Sequence, residues 1–305
     1  MHASVTLGVA IPQTFIHGPV DAGRIKEFLR HAEALGFESA WVVEQILGSA
    51  PSLESVTLLA YAAAVTERLR LGSAVLLTAL RSPVHVAKSL ATIDQLSHGR
   101  LIVGVGLGGN PRTYPAYGLN AERRAARFAE GLRLVKRLWT EPRVTMAGEF
   151  FRLENASMEP KPVQKPHPPL WFGGHHRLAL RRAVELGDGF IGAGSASTAA
   201  FAGEVATLRA ILAERGRATF PIGKRVYVAL DRDRSRAGKR LAEWFGAFYG
   251  QPALAEDVSV FGDADACVEG LRAVVAAGAG FLMLNPVFDE LDQLERLAAD
   301  VAPRL

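Results

Sequence analysis

Cysteine is almost missing from this chain of 305 residues: Cys267 is the only one. One thiol excludes an intrachain disulfide and leaves no cysteine set for a metal. A dominant charge is missing too, since 35 Lys and Arg against 31 Asp and Glu leave a net +4. That excess suits an anionic small molecule but is too small for a nucleic-acid surface. Long apolar runs are short of any membrane span: the longest, 58–65, is far below the roughly 18 residues required. The opening MHASVTLGVAIPQ lacks the basic stretch and apolar core of a secretion signal. Together these absences predict a soluble cytoplasmic protein with neither membrane nor nucleic-acid partners. G-x-S-x-G, P-loop and H-E-x-x-H patterns are absent, which counts against familiar hydrolase and nucleotidase chemistry. No metal site is expected.

What the chain does have is apolar material, 49% of its residues, and 30 glycines that are unevenly spread. Disorder is thereby excluded over most of its length. Short apolar runs alternate with amphipathic ones, the pattern of a mostly parallel α/β sheet. Strands are predicted at 5–11, 39–44, 69–77, 100–105, 170–172, 189–192, 225–230 and 280–284, with a helix after each. Ser82 before Pro83 offers a capping hydroxyl and a first-turn proline, and Asn120 is placed to cap the following helix. Between 230 and 280 only two helical stretches are expected, 234–248 and 263–277. Eight strand–helix units predict a (β/α)8 TIM barrel, one domain over 1–305. An insertion at about 140–169, between strand four and strand five, carries a hairpin-like stretch and the run PKPVQKPHPP.

A barrel of this kind builds its site from loops at the carboxyl ends of the strands. His17 follows strand one as a candidate acid or base, and Glu44 and Gln45 close strand two. Gly104, Gly106, Gly108 and Gly109 follow strand four. Gly104, Gly106 and Gly109 formally match G-x-G-x-x-G, but Pro111 and Pro115 bar an immediate helix, so a dinucleotide fingerprint is rejected. Gly108 and Gly109 remain suited to flank a flat ligand. Gly173 and Gly174 precede a helix and make a candidate phosphate cradle, with Gly192, Gly194 and Ser195 from the next strand beside it. His175 and His176 are adjacent, which directs their side chains apart; phosphate contact suits His175 better than metal ligation. No lysine is expected at a strand mouth, which argues against a phosphate-ester lyase or isomerase.

The ordered segments HAEALGFESAWVVE, RLRLGSAVLL, SPVHVAKSLATIDQLSHGRLIVGVGLGG, KRLWTEP, GEFFRLENASMEPKPVQKPHPPLWFGG and LGDGF resemble the bacterial luciferase-like oxidoreductases. That family includes flavin-dependent monooxygenases and coenzyme F420-dependent dehydrogenases and reductases. The resemblance runs from strand one to about Gly194 and is looser beyond. It implies the barrel, the insertion, and a two-electron cofactor with a phosphate-bearing tail. It implies a non-proline cis peptide at Ala74–Val75 under the ring, with Gly108 and Gly109 near the ring. It also implies a phosphate loop of Gly173, Gly174 and His175 with Gly192 to Ser195 as its neighbour, and a homodimer acting on a small molecule. Two positions depart from the family. Many members carry an acid followed by histidine after strand two, where this chain has Glu44 and Gln45; glutamine hydrogen-bonds but moves no proton near neutral pH. Leu107 stands where flavin enzymes often have an arginine. The pattern is closer to the F420 branch, with flavin mononucleotide (FMN) the alternative. Arg123, Arg124 and Arg127 either attract a polyglutamate tail or form a solvated helix face. The insertion and the 46–52 loop are lid candidates. A non-catalytic flavin-binding barrel and a non-redox phosphate-binding enzyme stay open as rival readings.

Overall fold

The computed structural model describes residues 5–108 and 110–305. The elements in chain order are β1 (Thr6–Ala10), α1 (Ala22–Ala34), β2 (Ser39–Val42), α2 (Ser55–Val65), β3 (Arg70–Ser73), α3 (Pro83–Leu96) and β4 (Leu101–Val105). There follow α4 (Arg124–Thr140), β5 (Val144–Ala147), β6 (Arg152–Ala156), β7 (Leu170–Phe172), α5 (Arg177–Leu186), β8 (Gly189–Gly192) and α6 (Thr198–Glu214). The last are β9 (Ile222–Leu230), α7 (Arg234–Tyr249), α8 (Leu254–Val258), β10 (Ser259–Gly262), α9 (Ala264–Ala276), β11 (Phe281–Asn285) and α10 (Glu290–Arg296). Parallel pairing runs β1–β2–β3–β4–β7–β8–β9–β11 and returns to β1, which closes an eight-stranded (β/α)8 barrel.

Both faces of the barrel strands are covered, so β2, β4, β8 and β11 are buried at every residue. Outward residues such as Val9, Val42, Val103 and Leu282 meet the helices. Inward residues fill the barrel: Trp41, Ile102, Trp171, Ile191, Phe281 and Met283. Trp41 packs 5.6 Å from Trp171 and 5.2 Å from Phe281, ring centre to ring centre. A methyl at Gly72 would lie 2.3 Å from a carbon of the Trp41 ring, so only glycine leaves space for the indole. α1 shows how the helices join the layer outside: Asp21 caps Arg24 N–H, and Ile25, Phe28, Leu29 and Ala32 form one buried stripe.

Four local expectations are corrected. Ser82 precedes α3 but its hydroxyl makes no capping bond; Pro83 in the first turn suffices. Asn120 caps a turn through Glu122 N–H, 2.8 Å, and α4 starts later, at Arg124. β10 was not expected. It pairs its four residues with Tyr227–Leu230, the half of β9 that overhangs the barrel. The insertion is no lid: β5 and β6 form an antiparallel hairpin, Glu130 of α4 accepts N–H bonds from its turn, and Gln164 binds Asp94 and Leu101 O. It supplies no residue to the cavity described below.

The amino-terminal ends of the strands are tied by two side chains. Arg100 donates to the carbonyls of Ala63, Thr66, Leu69 and Ser97. Glu33 accepts N–H bonds from Glu67, Arg68 and Leu69 at 2.6–3.1 Å. No helix is long and apolar enough to cross a membrane among the described residues.

Candidate active site

The carboxyl ends of β3, β4, β7, β8 and β9 surround a cavity of about 450 Å³. Ala74, Val75, Gly108, Gly173, Gly174, His175, Gly192, Gly194 and Ser195 all line it. Gly109 lies outside the described residues. The Ala74–Val75 peptide is cis, as the resemblance implied. After it, Leu76 N–H reaches Gly104 O at 2.8 Å and Gly106 N–H reaches Leu76 O at 2.9 Å, which lays this segment along the end of β4. A wider groove of about 930 Å³ runs outside, past α5, α6 and α8, and shares His175 and Ser195 with the cavity.

The glycines have a second physical reason besides ligand approach. A methyl at Gly194 would meet the Tyr227 ring at 2.9 Å, and one at Gly173 would meet Val75 at 3.0 Å. Close packing of protein on protein therefore already disfavours a side chain at Gly194 and crowds one at Gly173. Gly174, at φ +151°, takes a conformation that other residues rarely adopt.

The residues expected to handle protons do not converge on the cavity. The Glu44 side chain is only 1% exposed, and its two oxygens accept from Leu77 N–H and from Arg81. Arg81 also reaches Glu54, 2.7 Å, which caps α2 through Thr57 N–H. Burial pushes the Glu44 carboxyl up, while Arg81 and the Leu77 N–H pull it back down. Glu44 thus ties the end of β2 to the segment just after the cis peptide. Gln45 donates to Phe248 O at 3.3 Å, and its Oε1 is buried with no partner among the described residues. His17 lies on an exposed loop, 3.5 Å from Glu243, outside the cavity lining.

A charged cluster stands behind the glycine cradle. His175 Nδ1 lies 2.5 Å from Glu204 Oε1, and this bond holds the imidazole above its usual pKa. Glu204 is 7% exposed, and its Oε2 is buried with no partner among the described residues. Lys224, 2% exposed, donates to Ala193 O and Arg225 O. Burial pushes its ammonium down to about 7 while Glu204 pulls the other way. Lys224 in β9 is level with Gly192 in β8, so a lysine does stand at a strand mouth, contrary to expectation. Its contact over Phe201 of α6 shows that it faces outward, away from the cavity. His176 turns away to cap α5 through Leu178 N–H.

Sequence reasoning missed Arg225 and Tyr249, which also line the cavity. The readable signal was two adjacent cations, Lys224 and Arg225, inside a strand otherwise apolar on both faces. The three arginines near α4 cover aromatic rings: Arg123 lies over Phe150, Arg124 over Tyr114 and Arg127 over Phe151. No trio of His, Cys, Asp or Glu gathers as a metal site among the described residues.

Residues 4–257 match a protein family described as luciferase-like monooxygenase. The chain is 34% identical over 179 residues to an F420-dependent glucose-6-phosphate dehydrogenase of Kineococcus radiotolerans, covering 55% of this chain and 52% of that one. It is 34% identical over 220 residues to an FMNH(2)-dependent dimethylsulfone monooxygenase of Pseudomonas putida, covering 70% and 59%. These matches span little more than half of each relative's length. Among solved structures, an F420-dependent secondary alcohol dehydrogenase in complex with an F420-acetone adduct superposes with a TM-score of 0.86 over 99% of both chains. At 19% identity this likeness shows the fold alone.

Proposed function

The chain belongs to the luciferase-like monooxygenase family, and from that premise we propose an oxidoreductase that works with coenzyme F420, with FMN as the alternative. Its substrate is a small organic molecule. The observation that carries this reading is the single cavity shared by the Ala74–Val75 peptide, Gly108 and the glycine cradle. The residues fit such a cofactor at both ends. Val75, Leu77, Leu107 and Ile191 offer an apolar wall for a flat ring. Gly174, Ser195 and His175 offer N–H, hydroxyl and imidazole donors for a phosphate.

When bound, the cofactor supplies a two-electron carrier. The protein does the rest. Val75 and Gly108 flank the ring. His175, whose pKa the Glu204 bond raises, would hold the phosphate. Glu44 is a positioning residue: with both oxygens engaged it fixes Leu77 and hence the ring-bearing segment. Leu107 in place of an arginine supports F420 over FMN, while Gln45 in place of a histidine favours neither branch. The same reading carries a cytoplasmic homodimer.

The test is titration of the purified chain with F420 and with FMN, followed by cofactor fluorescence. F420 is expected to bind at least about tenfold more tightly, a difference of about 1.4 kcal/mol. Tighter FMN binding transfers the reading to the flavin branch, and failure of both to bind overturns it. Oxidation of the reduced cofactor, with and without oxygen, then separates an enzyme from a non-catalytic holder.

A further inference from the structure

Two cations that line the cavity, Arg182 and Arg225, have no ion-pair partner among the described residues, and of the two only Arg225 is buried. Arg225 is 6% exposed and faces both the cavity and the adjoining crevice at the mouths of β1 and β11. Its Nε donates to Asn285 Oδ1 at 2.8 Å and its Nη2 to the Tyr227 hydroxyl at 2.5 Å. Both acceptors are neutral, and a guanidinium has five N–H groups to place. The acids nearby are engaged elsewhere: Glu290, which lines the crevice, pairs with Arg24, and Glu204 pairs with His175. Beneath lies the apolar filling of Trp41, Trp171 and Phe281. A buried charge in such surroundings is costly unless an opposite charge meets it.

We propose that Arg225 and Tyr249 form a subsite for the carboxylate of the substrate, which makes the substrate a small organic acid. This rests on the reading of the cavity as an active site. The guanidinium is held in place from three sides, by Asn285, by the Tyr227 hydroxyl and by the Tyr227 ring 4.6 Å away. The Tyr249 hydroxyl lies 2.9 Å from that of Tyr227 and lines the same cavity as a second polar group. A planar fork of N–H donors matches two carboxylate oxygens. The cofactor phosphate is the competing anion: the Arg225 stem packs against Gly194 beside the cradle, but its Nε is turned to Asn285 of β11, and the cradle has His175 as its own cation.

Calorimetric titration of the full chain with benzoate, and with benzamide as its neutral isostere, tests the subsite. Wild type is expected to bind benzoate at least about tenfold more tightly, the ratio one charge-assisted hydrogen bond provides. Arg225→Met is expected to lose that preference and Arg225→Lys to keep part of it, with FMN and F420 affinities unchanged in both. Equal binding of benzoate and benzamide by wild type overturns the proposal without reliance on any variant. It is overturned equally if Arg225→Met weakens FMN but not riboflavin, because the guanidinium then serves the cofactor phosphate. A benzoate preference in a chain that binds neither cofactor supports the subsite and removes the cofactor reading instead.

Discussion

Replacing Lys224 with methionine is expected to change how stability depends on pH. The lysine is 2% exposed, and burial holds its folded pKa at about 7, against 10.5 for an exposed lysine. Between these values the unfolded chain holds a proton that the folded chain has released. The unfolded state then binds more protons, so stability rises with pH across this window. Each pH unit contributes at most about 1.4 kcal/mol. From pH 7, where the folded lysine is half charged, to pH 9, the gain is about 2 kcal/mol. Methionine keeps the apolar stem against Phe201 but does not titrate. Urea unfolding at pH 7 and pH 9 should therefore show wild type gaining about 2 kcal/mol relative to Lys224→Met. Parallel pH profiles for the two proteins would refute the argument, since they would mean that the ammonium finds enough solvent or counter-charge to keep its ordinary pKa.

Three further outcomes are expected. His175 sits above its usual pKa because of Glu204, so affinity for FMN or F420 should fall as pH rises through that raised value. In Glu204→Gln the fall should begin at lower pH, and an unchanged profile would remove His175 from phosphate binding. Gly72→Ala puts a methyl 2.3–2.5 Å from three atoms of a Trp41 ring that is hemmed in by Trp171 and Phe281; a loss of about 1–3 kcal/mol in urea unfolding is expected, and a change under about 0.5 kcal/mol would mean the aromatic cluster can shift. Cys267 is fully buried with its thiol pushed up to about 12, so Ellman's reagent should fail to react at pH 8 until denaturant is added; rapid labelling of the native protein would contradict that burial.

The barrel was legible because each strand is a short apolar run between turn residues, and helices such as α1, α4 and α5 show a buried stripe. β10 was not, because four residues next to a helical stretch acquire strand character only through pairing with the overhanging half of β9. The cradle was legible as glycines at strand ends, yet at Gly173 and Gly194 the protein's own packing explains the residue. The chemistry of Glu44 was not legible: an acid at a strand end says nothing of Arg81 and Leu77 N–H arriving from 33 to 37 positions away. Arg225 escaped for a related reason. A charge in a strand usually marks a solvated face, and only barrel closure turns that position inward.

Arg100 and Glu33 clamp one end of the barrel by holding several loop carbonyls and N–H groups each, while every cavity residue stands at the other end. Folding strength and ligand choice are therefore carried by different loops. Loops at the cavity end are open to exchange for those of a relative, with the opposite end left to keep the barrel closed. Cavity residues such as Arg225 and Tyr249 can thus be varied to change what is bound while the Arg100 and Glu33 clamp is left intact.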